Sequence, residues 1–573
     1  MKPVSEYGPT VPSCNELHAS KYRLPNESFD ECMARISLHM SDDENHFSEL
    51  KEILLNMRFM PAGRIQSAMG SPRDVTAYNC FVSGTIEDSM QSIMEKATQA
   101  AETMRRGGGI GYDFSNIRPS GDRIVSLDSS ASGPVSFMHI YDAICRTIVS
   151  AGHRRGAMMG VLRVDHPDIE EFIRAKRNTT DLTNFNISIG ITDKFMQCMA
   201  TDSMFPLTFK DKVYKEINAV ALWDEIMRAN WDWAEPGVLF IDRINEENPL
   251  YYCESIAATN PCGEQPLPPY GACLLGSFNL IKYVNVQRIG SNIKYRFDFD
   301  KFTKDITIVV NAMDNVINRT IYPLQEQRKE AELKRRMGLG ITGLGNALTL
   351  MEMEYGSLLA IRFIRKLMRT LTYTAYEASS DRALVHGTFP LYDEEKYLSG
   401  HFVSRFPDAL KEKIKKQGMR NSHLISIAPT GTISFCADNI SSGLEPTFSH
   451  EVSRTVNTEF GLVNILLKDY VYSNYNRRGE TTEDLTTDAH LNTQIACQPY
   501  VDSAISKTIN VGEKVTFPEF KDIYTKAWKG NLKGVTTFRL AGKRYGILNK
   551  VESNESEGIA CYFDPDTGQK ECA

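Results

Sequence analysis

Short apolar runs alternate with helical stretches and glycine-rich turns along most of this chain, from about residue 76 onward. The runs read YNCFVSG, GIGYDF, GVLRV, NISIGI, GVLFI and HLISIA, and each has the length of a β-strand. Strands that alternate with helices favour a mainly parallel sheet whose faces are covered by helices. The chain is therefore predicted to be an α/β protein, with a sheet that is either open or closed into a barrel.

The two ends of the chain lack this alternation of apolar runs and helical stretches. Residues 1–75 are polar, with apolar side chains at helical spacing in SFDECMARISLHM and HFSELKEILLNMRFM, which predicts a small helical N-terminal region. Residues 551–573 are polar and poor in aliphatic side chains, which predicts a flexible tail. The main domain is expected to span residues 76–550.

Composition excludes several classes of protein. The 573 residues are 42% hydrophobic and 24% charged, which is typical of a globular protein. A net charge of −7 argues against a general nucleic-acid binder. The sequence shows neither the apolar core of a signal peptide nor a run long enough to span a membrane, so we expect a soluble cytoplasmic protein with no membrane partner.

Cysteine usage argues against a disulfide scaffold and against a metal site. Twelve cysteines are few for this length, none forms C-x-x-C, and no cysteine or histidine cluster has zinc spacing. We therefore expect buried thiols or thiols with a redox function.

One pentapeptide, NPCGE at residues 260–264, brings reactive groups together. Pro261 and Gly263 disfavour a regular helix, so the stretch is expected to be extended or looped. Along an extended chain, Asn260, Cys262 and Glu264 would project from one face, offering an amide, a thiol and a carboxylate. A turn with a merely buried cysteine is the alternative that these five residues leave open.

Three glycine-containing loops are candidates for ligand binding. GLGITG at 338–343 fits the dinucleotide pattern literally, but it follows a charged helical stretch, so a tight packing turn is predicted there. RRGGGIG at 105–111 would let the backbone approach a ligand, or would simply end a helix. In HLISIAPTGTISF at 423–435, hydroxyls and free N–H groups after a strand are typical of an anion cradle, and a plain Thr/Ser turn is the alternative.

Six segments together resemble the catalytic chain of ribonucleotide reductase. They are YNCFVSGTIEDSM (78–90), RRGGGIGYDFSNIRPSG (105–121), GHRRGAMMGVLRVDHPDIEEF (152–172), EPGVLFIDRIN (235–245), NPCGEQPLPPYGACLLGSFNL (260–280) and APTGTISFCADNISSGLEP (428–446). The resemblance implies a ten-stranded α/β barrel with a central finger loop that carries Cys262 at its tip. It also implies radical-based reduction of ribonucleotides to 2′-deoxyribonucleotides for DNA synthesis.

The sequences of these segments are most similar to the adenosylcobalamin-dependent branch of that family, class II. Class I catalytic chains carry two adjacent tyrosines near the C-terminus, which relay a radical from a partner subunit. The corresponding stretch here, KGVTTFRLAGKR at 533–544, offers Thr537 and Phe538, and a Phe ring has no O–H to lose. The resemblance thus implies adenosylcobalamin (coenzyme B12) as cofactor, and residues 1–75 lack the pattern of an ATP-cone. A class I subunit that needs a separate metal-radical subunit, or a non-catalytic nucleotide-binding homologue, is the alternative.

The resemblance also implies roles for the NPCGE side chains. Cys262 would lose a hydrogen atom to the cofactor radical and, as a thiyl, take the 3′-hydrogen of the ribose. Glu264 would be the general base on the 3′-OH, and Asn260 would hold the sugar hydroxyls.

Two further pairs of thiols are implied by the same resemblance. Cys80 and Cys273 would supply two electrons and become a disulfide. Cys561 and Cys572, on the tail, would pass electrons to that disulfide from a thioredoxin- or glutaredoxin-type reductant.

The remaining implied residues bind nucleotides. The substrate residues are Asn79, Gly109, Thr430, Gly431, Thr432 and Ile433. The residues expected to bind a deoxynucleotide or ATP effector are Asp88, Ser89, Arg118, Arg154 and Arg155. Because the effector site of relatives often lies at a dimer face, we expect a homodimer.

Overall fold

The computed structural model of the chain describes residues 7–148, 157–177, 181–289, 292–458, 461–539, 548–550, 559–564 and 569–572. Helices and strands alternate through most of these residues, which confirms the α/β class. The boundaries near residues 75 and 550 stay predictions.

The N-terminal residues are mainly helical, as the sequence predicts. They form α1 (Pro12–Tyr22), α2 (Phe29–Met40), α3 (Glu44–Leu55), β1 (Phe59–Pro61) and α4 (Gly63–Ala68). Helix α2 begins with a capping box in which the Ser28 side chain accepts from the Glu31 N–H and the Glu31 carboxylate accepts from the Ser28 N–H.

The strands that follow are β2 (Cys80–Val82), β3 (Gly109–Asp113), β4 (Arg123–Ile124), β5 (Ser129–Ser130), β6 (Met158–Arg163), β7 (Phe185–Ile191), β8 (Met204–Phe209), β9 (Lys212–Asn218), β10 (Gly237–Phe240), β11 (Ala258–Thr259), β12 (Pro266–Leu267), β13 (Ala272–Cys273), β14 (Leu275–Asn279), β15 (Val284–Ile289), β16 (Asn292–Phe297), β17 (Gly338–Thr342), β18 (Glu451–Thr458), β19 (Gly461–Lys468), β20 (Thr508–Val511), β21 (Gly534–Arg539), β22 (Leu548–Lys550), β23 (Ile559–Asp564) and β24 (Gln569–Cys572).

The helices that follow are α5 (Met90–Arg105), α6 (Gly133–Thr147), α7 (Ile169–Arg174), α8 (Asp193–Ala200), α9 (Ala219–Trp233), α10 (Ile241–Glu246), α11 (Phe299–Arg319), α12 (Gln325–Lys334), α13 (Leu344–Leu350), α14 (Leu358–His386), α15 (Glu394–Ser399), α16 (His401–Ser404), α17 (Asp408–Gln417), α18 (Gly431–Cys436), α19 (Tyr470–Tyr475), α20 (Thr487–Cys497) and α21 (Phe517–Lys529). Single 3₁₀ turns lie at Leu280–Tyr283 and Gln498–Tyr500.

The largest sheet has the strand order β13-β2-β3-β6-β7-β10-β21-β20. The five strands from β2 to β10 are parallel to their neighbours, and so are β20 and β21. The pairings β13·β2 and β10·β21 are antiparallel. The sheet therefore consists of a parallel central part flanked on both sides by strands that run the opposite way.

A second sheet has the order β1-β14-β17, and only Leu274 separates its strand β14 from β13 of the large sheet. Isolated bridges join Leu339 to Ile425 and Ile427 to Ile505. No closed sheet is formed by the strands that the structure describes, so the ten-stranded barrel is not confirmed. The predicted packing turn at 338–343 is wrong, because Gly338–Thr342 is itself strand β17.

A hairpin formed by β11 and β12 carries NPCGE at its end, and we call residues 260–265 the finger tip. The hairpin lies against β3 at a position that only glycine allows. A Cβ built on Gly111 would lie 1.9 Å from the Thr259 carbonyl oxygen, and one on Gly109 would lie 3.2 Å from Pro261 Cγ. The glycines of RRGGGIG therefore make room for another part of the same chain.

None of the helices in the described ranges is long and apolar enough to cross a membrane.

Candidate active site

The finger tip is a tight turn, which is the looped form of the predicted geometry, so the shared face of an extended chain does not apply to Asn260, Cys262 and Glu264. The Asn260 carbonyl oxygen accepts a hydrogen bond of 3.0 Å from the Gly263 N–H, and Pro261 occupies the second position of the turn, which it favours. Gly263 has φ +81°, a left-handed conformation that suits glycine. The Asn260 side chain closes the loop, because its Oδ1 accepts from the Gln265 N–H at 3.0 Å.

Glu264 is a buried carboxyl group, with 2% of its surface exposed. Burial raises its pKa from 4.5 to about 7, and the polar Asn260 side chain nearby opposes the rise. A carboxyl group with a pKa near neutrality can both take and return a proton, which is what a general base in a reaction cycle requires.

Four buried polar atoms at this place lack a hydrogen-bond partner. They are Asn79 Oδ1, Asn260 Nδ2, Glu264 Oε2 and Gln265 Nε2. Buried polar atoms are nearly always paired in folded proteins, so a group of unpaired donors and acceptors indicates a ligand with hydroxyl or amide groups. Gln265 was not among the site residues predicted from the sequence, although it directly follows Glu264.

Cys80 and Cys273 lie opposite each other on the antiparallel strands β2 and β13. Both are buried, and they are not joined by a disulfide. Burial raises the pKa of the Cys273 thiol well above 9, and a hydrogen bond with Cys80 and the nearby Glu264 carboxyl add to the rise. The two thiols are thus neighbours within reach of the carboxyl group at the finger tip.

Cys262 borders a cavity on a different side of the finger tip. The cavity is walled by β7, β10 and β21 and by the segment before β20, and its lining includes Pro261, Cys262 and Gly263. Neither the thiol pair nor Asn260 or Glu264 is part of that lining. Cys262 therefore borders a cavity whose lining does not include the buried Glu264 cluster.

Strand β21, which contains the sequence VTTF, contributes Gly534, Val535 and Thr536 to the wall of this cavity. Thr537 is buried and donates its hydroxyl to Asn230 Oδ1 at 2.6 Å, and Phe538 is buried in the core. Thr537 and Phe538 themselves are not part of the cavity lining, which β21 reaches through the residues just before them.

The loop before α18 contains the predicted phosphate residues. Thr430 has φ +58° and precedes the first turn of α18, in which Gly431, Thr432 and Ile433 are buried. The Thr430 hydroxyl accepts from the Gly443 N–H at 2.8 Å and lies 2.9 Å from the Thr342 hydroxyl. A second cavity beside this loop includes Gly431 in its lining and shares Ser506 with the Cys262 cavity.

The expected effector residues Asp88, Ser89 and Arg118 lie together at the beginning of α5. Arg118 Nε is 2.9 Å from Asp88 Oδ2, and Ser89 caps the helix by accepting from the Ser92 N–H. Lys210, between β8 and β9, reaches Asp88 at 3.5 Å. Arg154 and Arg155 lie outside the described residues.

The tail cysteines are described by their backbone alone. Strands β23 and β24 form an antiparallel hairpin whose register places Cys561 directly opposite Cys572. The hairpin extends the sheet β19-β18-β22-β23-β24, and its strands approach α18 and β7.

The described residues contain no group of three or more His, Cys, Asp or Glu side chains that could hold a metal ion.

Comparison with known proteins adds a family match. Residues 78–538 match the family model described as ribonucleotide reductase, barrel domain. A vitamin B12-dependent ribonucleoside-diphosphate reductase of Mycobacterium tuberculosis is 33% identical, over 93% of this chain and 79% of the relative. A protein of the same name from Thermoplasma acidophilum is 32% identical, over 91% of this chain and 68% of the relative. A vitamin B12-dependent ribonucleotide reductase of Streptomyces clavuligerus is 28% identical, over 91% and 62%.

Proposed function

Because the chain belongs to the ribonucleotide reductase family, we propose that it reduces ribonucleotides to 2′-deoxyribonucleotides with adenosylcobalamin as its cofactor. The observation that carries the proposal is the finger tip, which holds a buried Glu264 near the thiol pair Cys80 and Cys273 and carries Cys262 at the edge of a cavity. A nucleotide-binding homologue without activity would have no need of these four groups in one place.

We propose that the two main sheets form one ten-stranded barrel around the finger. Strands β13 and β14 are nearly continuous, and the bridges at Ile425 and Ile427 link β17 to the segment before β20. These links would complete a circuit of ten strands in two parallel halves. The hairpin that carries the finger tip would then lie inside it, since it contacts β3 and β6.

The cavity beside Cys262 fits the reactive end of the cofactor. Its lining is partly polar, with Asn186 and Ser188 on one wall and Ser506 on another, and it includes Cys262. When bound, adenosylcobalamin supplies an organic radical next to Cys262. No side chain with a phenolic O–H is needed on β21 for this, which agrees with Thr537 and Phe538 and disfavours the class I alternative.

Four side chains of the protein then carry out separate steps of the reaction at the ribose. Cys262, after losing its hydrogen atom, takes the 3′-hydrogen as a thiyl and returns it at the end of the cycle. Glu264 takes the 3′-OH proton, which lets the radical at C3′ expel the 2′-OH as water. Cys80 and Cys273 supply two electrons and two protons, of which one proton leaves with the 2′-OH as water and the other is added with the electrons at C2′, and the two thiols end as a disulfide.

The phosphates are proposed to bind at Thr430–Ile433, with Asn79, Asn260 and Gly109 beside the ribose. Support comes from the unpaired Asn79 and Asn260 atoms and from Ser506, which lines both cavities and so connects the loop at α18 with Cys262.

The tail and the effector cluster complete the proposal. Cys561 and Cys572 would reduce the Cys80–Cys273 disulfide and be reduced in turn by a thioredoxin- or glutaredoxin-type protein, since their hairpin approaches α18 and β7. Asp88, Ser89 and Arg118 would bind a deoxynucleotide or ATP effector. We further propose a homodimer.

One assay tests the proposed function. The purified chain is incubated with a ribonucleoside diphosphate and a dithiol, with and without adenosylcobalamin, and deoxynucleotide is measured. We expect product only with the cofactor and without a second protein. Activity that requires a metal-containing partner instead of cobalamin would favour the class I alternative, and no product under either condition would refute both.

A further inference from the structure

The finger tip is held at two carbonyl oxygens by side chains from opposite sides of the structure. Asn186, on β7, donates its Nδ2 to the Pro261 carbonyl oxygen at 3.1 Å. Ser426, in the segment that bridges to β17, donates its Oγ to the Glu264 carbonyl oxygen at 2.9 Å. The Ala504 N–H donates to that same oxygen at 2.9 Å. Both donor side chains are buried.

The two residues that flank Cys262 differ in how closely they are packed. Apart from its own chain neighbours, no heavy atom lies within 4 Å of the position where a Cβ of Gly263 would be, so that side of the tip is open. Pro261 is fixed by its ring against Gly109 and by its carbonyl against Asn186. The peptide plane that the Pro261 carbonyl shares with the Cys262 nitrogen is therefore set by Asn186.

We propose that Asn186 is a positioning residue that aims the Cys262 thiol, and that Ser426 is a positioning residue for Glu264. The inference rests on the proposed function, in which Cys262 carries out the hydrogen transfer and Glu264 the proton transfer. Hydrogen transfer requires the sulfur and the 3′-hydrogen to be in close contact, and a displacement of about 1 Å can cost about 100-fold in rate.

The position of Asn186 in its strand supports a role beyond folding. On β7 the side chains alternate: Ile187 and Ile189 belong to the apolar core, whereas Asn186 and Ser188 are the polar residues of this strand at the Cys262 cavity, which Ile187 also lines. A single neutral hydrogen bond contributes only about 1 kcal/mol to stability. A purely structural bond of this kind should therefore have a small effect on stability and none on the hydrogen-transfer step.

The experiment compares Asn186→Leu, Ser426→Ala and a matched control, Asn315→Ala. Asn315, on α11, is also a buried asparagine that donates to a backbone carbonyl, that of Met40 at 2.9 Å, and it is part of the helical layer. For each variant we would measure kcat, KM, thermal stability and the release of tritium from the 3′ position of the substrate.

For Asn186→Leu we expect product formation and tritium release to fall together, by about 100-fold, with KM nearly unchanged. For Ser426→Ala we expect product to fall about 10-fold while tritium release continues, because Cys262 is still aimed and the Ala504 N–H still holds Glu264 in part. The control should lose stability and keep its kcat. If Asn186→Leu does not fold, Asn186→Ala also removes the donor.

An Asn186 variant with kcat within twofold of the unchanged chain would overturn the proposal. Equal losses of product and tritium release in both finger variants, in proportion to their stability, would also overturn it. If the unchanged chain makes no deoxynucleotide with adenosylcobalamin, the proposed function fails instead, and the two failures are thus distinguishable.

Discussion

Replacing Glu264 by glutamine should stabilise the protein at alkaline pH while it abolishes turnover. Burial raises the pKa of Glu264 from 4.5 to about 7, so the folded state resists ionisation of this carboxyl group. Each pKa unit corresponds to about 1.4 kcal/mol, so ionising Glu264 costs the folded state about 3 kcal/mol at pH 8 and above. Glutamine has the same size and no charge, so this cost disappears in Glu264→Gln.

The sign of the pH dependence follows from the direction of the shift. A raised pKa stabilises the folded state below pH 4.5, and this stabilisation is lost as the pH rises toward and through 7. Urea unfolding of the unchanged chain and of Glu264→Gln, at pH 5.5, 7 and 8.5, should show a gap that grows with pH. The rate of the unchanged chain should rise over the same range, since only the ionised Glu264 accepts the 3′-OH proton.

Two results would refute this reasoning. A stability gap that does not change between pH 5.5 and 8.5 would show that Glu264 ionises normally in the folded protein. Substantial product formation by Glu264→Gln would show that the carboxyl group is not the base, since loss of a general base typically costs about 10²–10⁴-fold.

Three further predictions concern the thiols and the effector cluster. Cys262→Ser should bind nucleotide but release no tritium from the 3′ position and form no product, because its O–H bond is too strong to break; product at a rate near that of the unchanged chain would remove Cys262 from its role. Replacing both Cys561 and Cys572 by serine should permit one turnover and stop further turnover with a protein reductant, whereas a small dithiol should restore much of the rate; normal turnover with the protein reductant would contradict the shuttle. Arg118→Met, which breaks the pair with Asp88, should weaken deoxynucleotide binding about 10-fold or more in a direct binding assay, and unchanged affinity would place the effector elsewhere.

The fold class and the reactive loop could be predicted from the sequence because both depend on patterns within short stretches of the chain. Alternating strands and helices are visible in short windows, and so is a cysteine flanked by proline and glycine. The conformation of the loop was harder to predict, because extended and turn geometries both accept Pro261 and Gly263. The hydrogen bond from the Gly263 N–H to the Asn260 carbonyl decides for the turn.

The neighbours of the finger tip could not be predicted from residue patterns, because they depend on the order of strands in the sheet. Cys80 and Cys273 meet only because β13 pairs with β2. Asn186 reaches the Pro261 carbonyl from a strand that no motif marks. A sequence without aligned relatives carries no local signal for such contacts, since each side chain by itself is an ordinary core residue.

Glycines in strands are the signal that was present and misread. Gly338 and Gly340 lie in β17, where an added Cβ would come within 2.5 Å of Gln265 Nε2 and of the Ser426 carbonyl oxygen. Gly111, on β3, lies against the Thr259 carbonyl oxygen on another side of the hairpin. Glycine weakens a strand, so its repeated use there implies that a backbone passes close by. Gly338 on β17 meets Gln265 and Gly111 on β3 meets Thr259, and both of these neighbours belong to the hairpin that carries the finger tip, so the hairpin lies between the two strands.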